Sequence, residues 1–146
     1  MPLTLSDRKN IRPLNGAVVR TYEAGALVNV GDFVYLNPAN DRVLPARANA
    51  DATTYAIGMV VSVEGVMPGT AAQLGQAVGV CVEGPVAGLT GMDAAIPMVW
   101  LSAATAGAAT QTKPTGASNR VFALGRPIRT DVFLVRPQVT EAVAGV

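Results

Sequence analysis

The feature that most restricts the fold of this chain is the shortness of its apolar runs. Brief segments rich in Val, Leu, Ile, Phe and Tyr recur along the sequence, and Gly, Pro, Asn and Asp interrupt them. Helical spacing of apolar residues is scarce. Runs of this kind, separated by turn formers, are typical of strands in a sandwich or barrel. We therefore predict an all-β fold, a compact single-domain β-barrel or β-sandwich.

The pattern places strands between recognisable turns such as Val30-Gly31-Asp32 and Asn37-Pro38. The small, polar residues 46–54 predict a loop with at most one helical turn. The predicted strands are residues 17–22, 26–30, 32–37, 42–46, 55–63, 76–83, 97–102, 108–112, 120–125 and 131–136.

The length of 146 residues is that of one ordinary domain. Residues 1–16 contain few β-branched residues and two prolines, and residues 138–146 are mostly small and apolar. We predict an extended N-terminal arm (residues 1–16), a β domain (residues 17–137) and a C-terminal tail (residues 138–146). On this division, deleting residues 1–16 would leave a folded domain.

Two segments in the first half of the sequence are similar to two segments in the second half, and we call this internal similarity the echo. Val34-Tyr35-Leu36-Asn37 is similar to Val99-Trp100-Leu101-Ser102, at an offset of 65 residues. Tyr55-Ala56-Ile57-Gly58 is likewise similar to Phe122-Ala123-Leu124-Gly125, at an offset of 67. The echo predicts two similar β units packed into one domain. Two unrelated β segments with similar spacing are the alternative.

The side chains of common catalytic sites are missing from the sequence. It contains no histidine, which is the usual general base near neutral pH and the commonest metal ligand. Its one cysteine, Cys81, lies in an apolar run that predicts a buried structural thiol. No phosphate-binding glycine loop is present, and the acidic residues are dispersed. We expect no catalytic activity, no cofactor and no metal site.

The net charge argues against a nucleic-acid partner, and the length of the apolar runs argues against a membrane span. Net charge is +1, so no basic field favours nucleic acid. No apolar run is long enough for a membrane span, and the N-terminus does not resemble a signal peptide. The charge is also uneven: +2 over residues 1–47, −4 over residues 48–112 and +3 over residues 113–146. Only 14% of residues are charged, which favours a surface partly covered by a partner; a plain small domain rich in Ala and Val is the alternative.

Four stretches together resemble the capsid decoration (cement) proteins of tailed bacteriophages. They are residues 24–36 (AGALVNVGDFVYL), 55–60 (YAIGMV), 99–114 (VWLSAATAGAATQTKP) and 121–127 (VFALGRP), followed by a closing strand that ends at Arg136-Pro137. The likeness covers residues 17–137 and is one of pattern, not of a catalytic signature.

The resemblance implies a structural virion protein, assembled in the host cytoplasm, that binds the exterior of the major capsid protein shell. It also implies a homo-oligomer, for which a trimer is our expectation, with a monomer and a dimer as alternatives. In such proteins the N-terminal arm often grips the shell. The capsid-binding residues expected here are Leu3, Leu5, Arg8, Lys9, Ile11 and Arg12. The competing hypotheses are a head fibre, spike or tail protein, and a ligand- or carbohydrate-binding β domain.

Overall fold

A computed structural model describes residues 8–146 of the chain. They form an all-β single domain that contains a closed five-stranded barrel and additional strands, which confirms the predicted fold class. The strands are β1 (Arg12–Pro13), β2 (Val18–Ala24), β3 (Phe33–Asn37), β4 (Arg42–Pro45), β5 (Ala56–Val63), β6 (Ala77–Ala87), β7 (Val99–Leu101), β8 (Ala109–Thr110), β9 (Arg120–Val121), β10 (Ala123–Pro127), β11 (Val132–Val135) and β12 (Val143–Ala144).

Helical structure is limited to short pieces. Arg8–Asn10 form one 3-10 turn, and α1 (Asp51–Thr54) is a single helical turn within the loop predicted for residues 46–54. The hydroxyl of Thr53 donates a hydrogen bond to the carbonyl of Arg47 at 2.8 Å, which holds this turn against the end of β4.

The barrel is built from the first half of the chain. Its strands follow the order β2-β4-β3-β5-β6, and β6 pairs with β2 to complete the circle. The β2–β4 pair is parallel and joins Ala24 to Val43, whereas the other neighbours are antiparallel. Both residues of that pair are fully buried, because apolar side chains at the closure fill the barrel interior.

The second half of the chain extends the same sheet. From β6 the order continues through β11, β10 and β7 to β8, and β1 pairs with β6 on its other side. This second unit has the strand order of the first: β8, β7, β10 and β11 correspond to β4, β3, β5 and the first half of β6. Over residues 8–146, β8 pairs only with β7, so the second unit is open where the first is closed.

The strand pairing supports the echo seen in the sequence. In the first unit Val34 pairs with Gly58 and Tyr35 with Ala56, and the register shifts between the two pairs. In the second unit the matching partners repeat this arrangement, including the shift. Both units therefore carry the same bulge at the same place.

The matching pairs of the second unit are Val99 with Gly125 and Trp100 with Ala123. A side chain on Gly125 would clash with the backbone, because an added Cβ would lie 1.9 Å from the carbonyl oxygen of Leu134. The corresponding Cβ at Gly58 would lie 2.1 Å from the carbonyl oxygen of Cys81. The repeated glycine is thus required by close strand packing.

Strand β6 serves both units and is longer than predicted. The sequence suggested an end at residue 83, before Gly84-Pro85, but the strand continues to Ala87. Gly84 has φ +120°, a conformation that bends the strand without side-chain strain. The first part of β6 pairs with β2 and β5, and the last part pairs with β11 and β1.

Two other strand predictions are wrong. Residues 26–30 form no strand: Val28 makes one isolated bridge to Ala72, and Asn29–Asp32 then form a turn, with the Asp32 N–H donating to the Asn29 carbonyl. The predicted strand at 120–125 is divided into β9 and β10, because the buried Phe122 separates residues that pair with β12 from residues that pair with β7 and β11.

Two aromatic contacts join elements from the two halves of the chain. The rings of Phe33 and Phe133 meet edge to face at 5.8 Å, and those of Tyr55 and Phe122 at 5.7 Å. A polar contact accompanies them where the β4–β5 loop reaches β9. There Asp51 accepts a hydrogen bond from Arg120 Nε at 2.6 Å, and this partner holds the pKa of Asp51 below its ordinary value.

Both segments expected to flank the domain pack on it where they are described. Ile11, within the predicted arm, is only 5% exposed and belongs to the core. In the tail, the side-chain oxygen of Gln138 accepts a hydrogen bond from the Ala123 N–H, and β12 pairs with β9. Deleting residues 1–16 would consequently remove core contacts and the β1 pairing, so the packed domain extends beyond residues 17–137.

Candidate functional site

The predicted capsid-binding residues have different surroundings. Leu3 and Leu5 lie outside the described residues. Lys9 and Arg12 are exposed, and the Arg12 side chain makes a 3.4 Å hydrogen bond to the Asn10 carbonyl. Ile11 packs into the domain core, so its side chain is not presented to a partner in this conformation.

Arg8 is held against the domain. Its Nη1 donates a hydrogen bond to the Val30 carbonyl at 2.5 Å and lies 3.6 Å from Oδ1 of Asp32. The Asp32 carboxylate also accepts a hydrogen bond from the Asn29 N–H at 3.0 Å. Arg8 therefore ties the N-terminal segment to the turn that precedes β3.

Asp32 is a largely buried carboxyl group beside this segment. It is only 8% exposed, and desolvation by burial raises its pKa above the ordinary aspartate value. The hydrogen bond from Asn29 and the positive charge of Arg8 act in the opposite direction and are weaker. The arrangement fits a structural carboxyl that fastens two segments.

Cys81 has the surroundings of a structural thiol. The residue is fully buried in β6, and desolvation raises its pKa. Its Sγ lies 3.5 Å from the carbonyl oxygen of Glu83, which lowers the pKa by a smaller amount. A neutral, enclosed thiol is a poor nucleophile.

Exposed apolar side chains lie on two adjacent loops at one end of the barrel. Leu27 is 56% exposed, and Leu74 in the β5–β6 loop is 64% exposed. The antiparallel bridge between Val28 and Ala72 brings these two loops together. We call Leu27 and Leu74 the loop patch; Met67, on the same β5–β6 loop, is 79% exposed.

A groove of about 380 Å³ lies over β10 and β11. We call it the basic groove because two of its lining residues are arginines. The lining residues are Met98, Ala123, Gly125, Arg126, Leu134 and Arg136. No sequence motif marks either arginine as part of a site, although the net charge of +3 over residues 113–146 is a signal for them.

A second concavity, of about 460 Å³, is lined mostly by residues with hydroxyl, amide or ammonium groups. It is bordered by residues of the β7–β8 connection and of the segment that follows β8, among them Thr105, Lys113 and Asn119. The Ser102 hydroxyl oxygen at its edge already accepts hydrogen bonds from the N–H groups of Ala104 and Thr105. Some of its hydrogen-bonding capacity is thus used within the protein.

Residues 8–146 place no three His, Cys, Asp or Glu side chains in a group able to hold a metal ion. In the same part of the chain, the helical segments are all too short to cross a bilayer.

The fold defines the class of this protein, which is an all-β domain with a closed five-stranded barrel. Comparison with models of known families, with curated proteins and with solved structures found no match.

Proposed function

We propose that this chain is a non-enzymatic structural protein of the virion, which binds the outer surface of a tailed-phage capsid shell and stabilises it. The loop patch is the observation that carries the proposal. Leu27 and Leu74 are large apolar side chains, each more than half exposed on neighbouring loops of a closed barrel. Covering such exposed apolar side chains with a partner is favourable, because it removes apolar surface from water.

The mechanics of the fold suit such a role. In the expected homo-oligomer, several linked copies would contact the shell together, and this multivalency would strengthen binding beyond that of one copy. A closed barrel braced against a second β unit loses little conformational entropy on binding, because it is ordered beforehand. The resemblance to decoration proteins noted in the sequence supports the same proposal, as does the low share of charged residues.

The test measures binding of the purified protein to expanded capsids of the same phage by co-sedimentation, with cryo-electron microscopy to locate it. We expect saturable binding to the capsid exterior. Replacing both leucines of the loop patch (L27S/L74S) should weaken binding about tenfold or more, because both apolar side chains are lost. The matched control is Ile128→Ser, which removes a 49% exposed apolar side chain elsewhere.

A truncation tests whether the N-terminal residues bind the capsid. Removing residues 1–7 deletes Leu3 and Leu5 but keeps Ile11 in the core and β1 paired with β6. We expect capsid binding to be lost while the thermal transition is retained. Wild-type protein that binds no capsid, or that locates to a fibre or tail, would refute the proposed function.

A carbohydrate-binding role is the second candidate. The observation in its favour is the concavity near Thr105, Lys113 and Asn119, because hydroxyl, amide and ammonium groups can bind sugar hydroxyls. Hits on a glycan array that disappear in Asn119→Ala would favour this role over capsid binding.

A further inference from the structure

One sheet face is buried in the first β unit, but the matching face of the second unit is exposed. In the first unit, Met59 on β5 pairs with Cys81 on β6, and both side chains are fully buried. In the second unit the corresponding pair is Arg126 on β10 and Leu134 on β11. Arg126 is exposed and Leu134 is half-buried. The face that the first unit covers is therefore open in the second unit.

This open face is the basic groove. Gly125 contributes backbone in place of a side chain, and Leu134 and Met98 provide apolar surface. A volume of about 380 Å³ is enough for one or two side chains, but small for a folded element. The geometry suits a short segment that lays side chains across a sheet face.

The charges of the groove indicate what such a segment carries. Within residues 8–146, neither Arg126 nor Arg136 has a side-chain hydrogen bond or an ion pair. Glu83 borders a neighbouring concavity together with Arg136, yet the two form no ion pair. Arginine pairs well with carboxylates because its planar guanidinium can donate two parallel hydrogen bonds.

We infer that the basic groove binds a carboxylate-bearing segment of the capsid protein, with Arg126 and Arg136 holding its acidic side chains and Leu134 contacting its apolar atoms. This inference rests on the proposed function, because that function supplies the partner. Charge complementarity favours an acidic segment over nucleic acid, since the chain as a whole has a net charge of only +1.

The first experiment compares capsid binding by wild-type protein, the double variant R126E/R136E and the control Arg20→Glu. Arg20 is exposed on β2, away from the groove, so the control reverses a charge without altering the groove. We expect R126E/R136E to lose at least about tenfold in affinity and R20E to change little. Equal binding by wild type and R126E/R136E would overturn the inference.

A second experiment needs no capsid. Titrating hexaglutamate into labelled protein should shift the amide resonances of Gly125, Arg126 and Arg136, and hexaglutamine should not. Absence of these shifts overturns the inference. If wild-type protein fails to bind capsids, the proposed function is wrong, and the titration alone decides whether the groove takes acidic segments.

A copy of the same chain is the competing occupant. Sedimentation of wild type and R126E/R136E separates the two cases. An unchanged mass supports the capsid segment. A wild-type oligomer that R126E/R136E dissociates would identify a second copy as the occupant and overturn the inference.

Discussion

Gly58 and Gly125 occupy matching positions where two strands approach too closely for a side chain. An added Cβ at either position would meet a backbone carbonyl oxygen, Cys81 O or Leu134 O, at 2.1 or 1.9 Å. Backbone cannot move aside without disturbing the strand pairing. The bulge shared by the two units therefore depends on these two glycines.

We predict that Gly58→Ala and Gly125→Ala each lower the free energy of unfolding by about 3 kcal/mol, at the upper end of overpacking effects. Urea denaturation measures the change. The control is Gly25→Ala, whose Cβ would lie 3.2 Å from the Cβ of Arg42 and from the side chain of Leu44, distances that a shift of a few tenths of an ångström relieves. If neither variant lost more unfolding free energy than the control, the bulges would not require glycine at these two positions.

The second prediction at this scale concerns pH. Burial raises the pKa of Asp32, so the folded protein keeps this proton over a pH range in which the unfolded chain has lost it. The contribution of Asp32 to stability is therefore greatest at low pH and falls as pH rises above the ordinary aspartate value. Asp32→Asn removes this titration.

We expect the stability of wild type relative to Asp32→Asn to fall between pH 3 and pH 7. Urea denaturation at each pH measures the difference. A relative gain by wild type over the same range would show that attraction to Arg8 outweighs the cost of burying the carboxylate.

At the scale of elements, the described N-terminal segment is part of the folded domain. Its 3-10 turn leads to Ile11, which is buried in the core, and then to β1, which pairs with β6. Ile11 carries the apolar contact, and Arg8 carries the polar one through Val30 and Asp32. An arm available to a partner would have to lie before these residues.

We predict that Ile11→Ala lowers the free energy of unfolding by about 3 kcal/mol, because it removes a buried side chain and leaves a cavity. Arg12→Ala, the neighbouring exposed residue, should change it by less than about 0.5 kcal/mol. Chemical denaturation of both variants measures the contrast. Equal, small effects would mean that this segment is a separable arm in solution.

At the scale of the whole molecule, the two β units share strand β6 and two aromatic contacts. We therefore expect the two units to unfold as one cooperative structure. Phe33 and Phe133 are both essentially buried, and their edge-to-face contact lies between the barrel and the second unit. Loss of packing at this contact should weaken both units together.

We predict a single thermal transition in which the calorimetric and van't Hoff enthalpies agree. Phe133→Leu should lower Tm by about 5 °C, because it removes the aromatic contact and some buried area, without splitting the transition. Scanning calorimetry tests both statements. Two separate transitions in either protein would show that the units fold independently.

Local pattern was sufficient for some features of this protein. Short β-branched runs and turn residues predicted the all-β class and most strands, because alternation and turn chemistry act between near neighbours. The echo between Val34-Tyr35 and Val99-Trp100 indicated the two units, since matching sequences make matching strand pairs. The missing histidine was equally visible in the sequence.

Tertiary structure decided the remainder. Three features depend on partners distant in the sequence: the continuation of β6 past Gly84-Pro85, the closure of β2 on β4 and the burial of Ile11. The basic groove has the same origin, because Arg126 and Arg136 come together only when β10 pairs with β11. Local preferences determine which segments become strands, but the energy of packing between distant segments selects their neighbours and the faces left open.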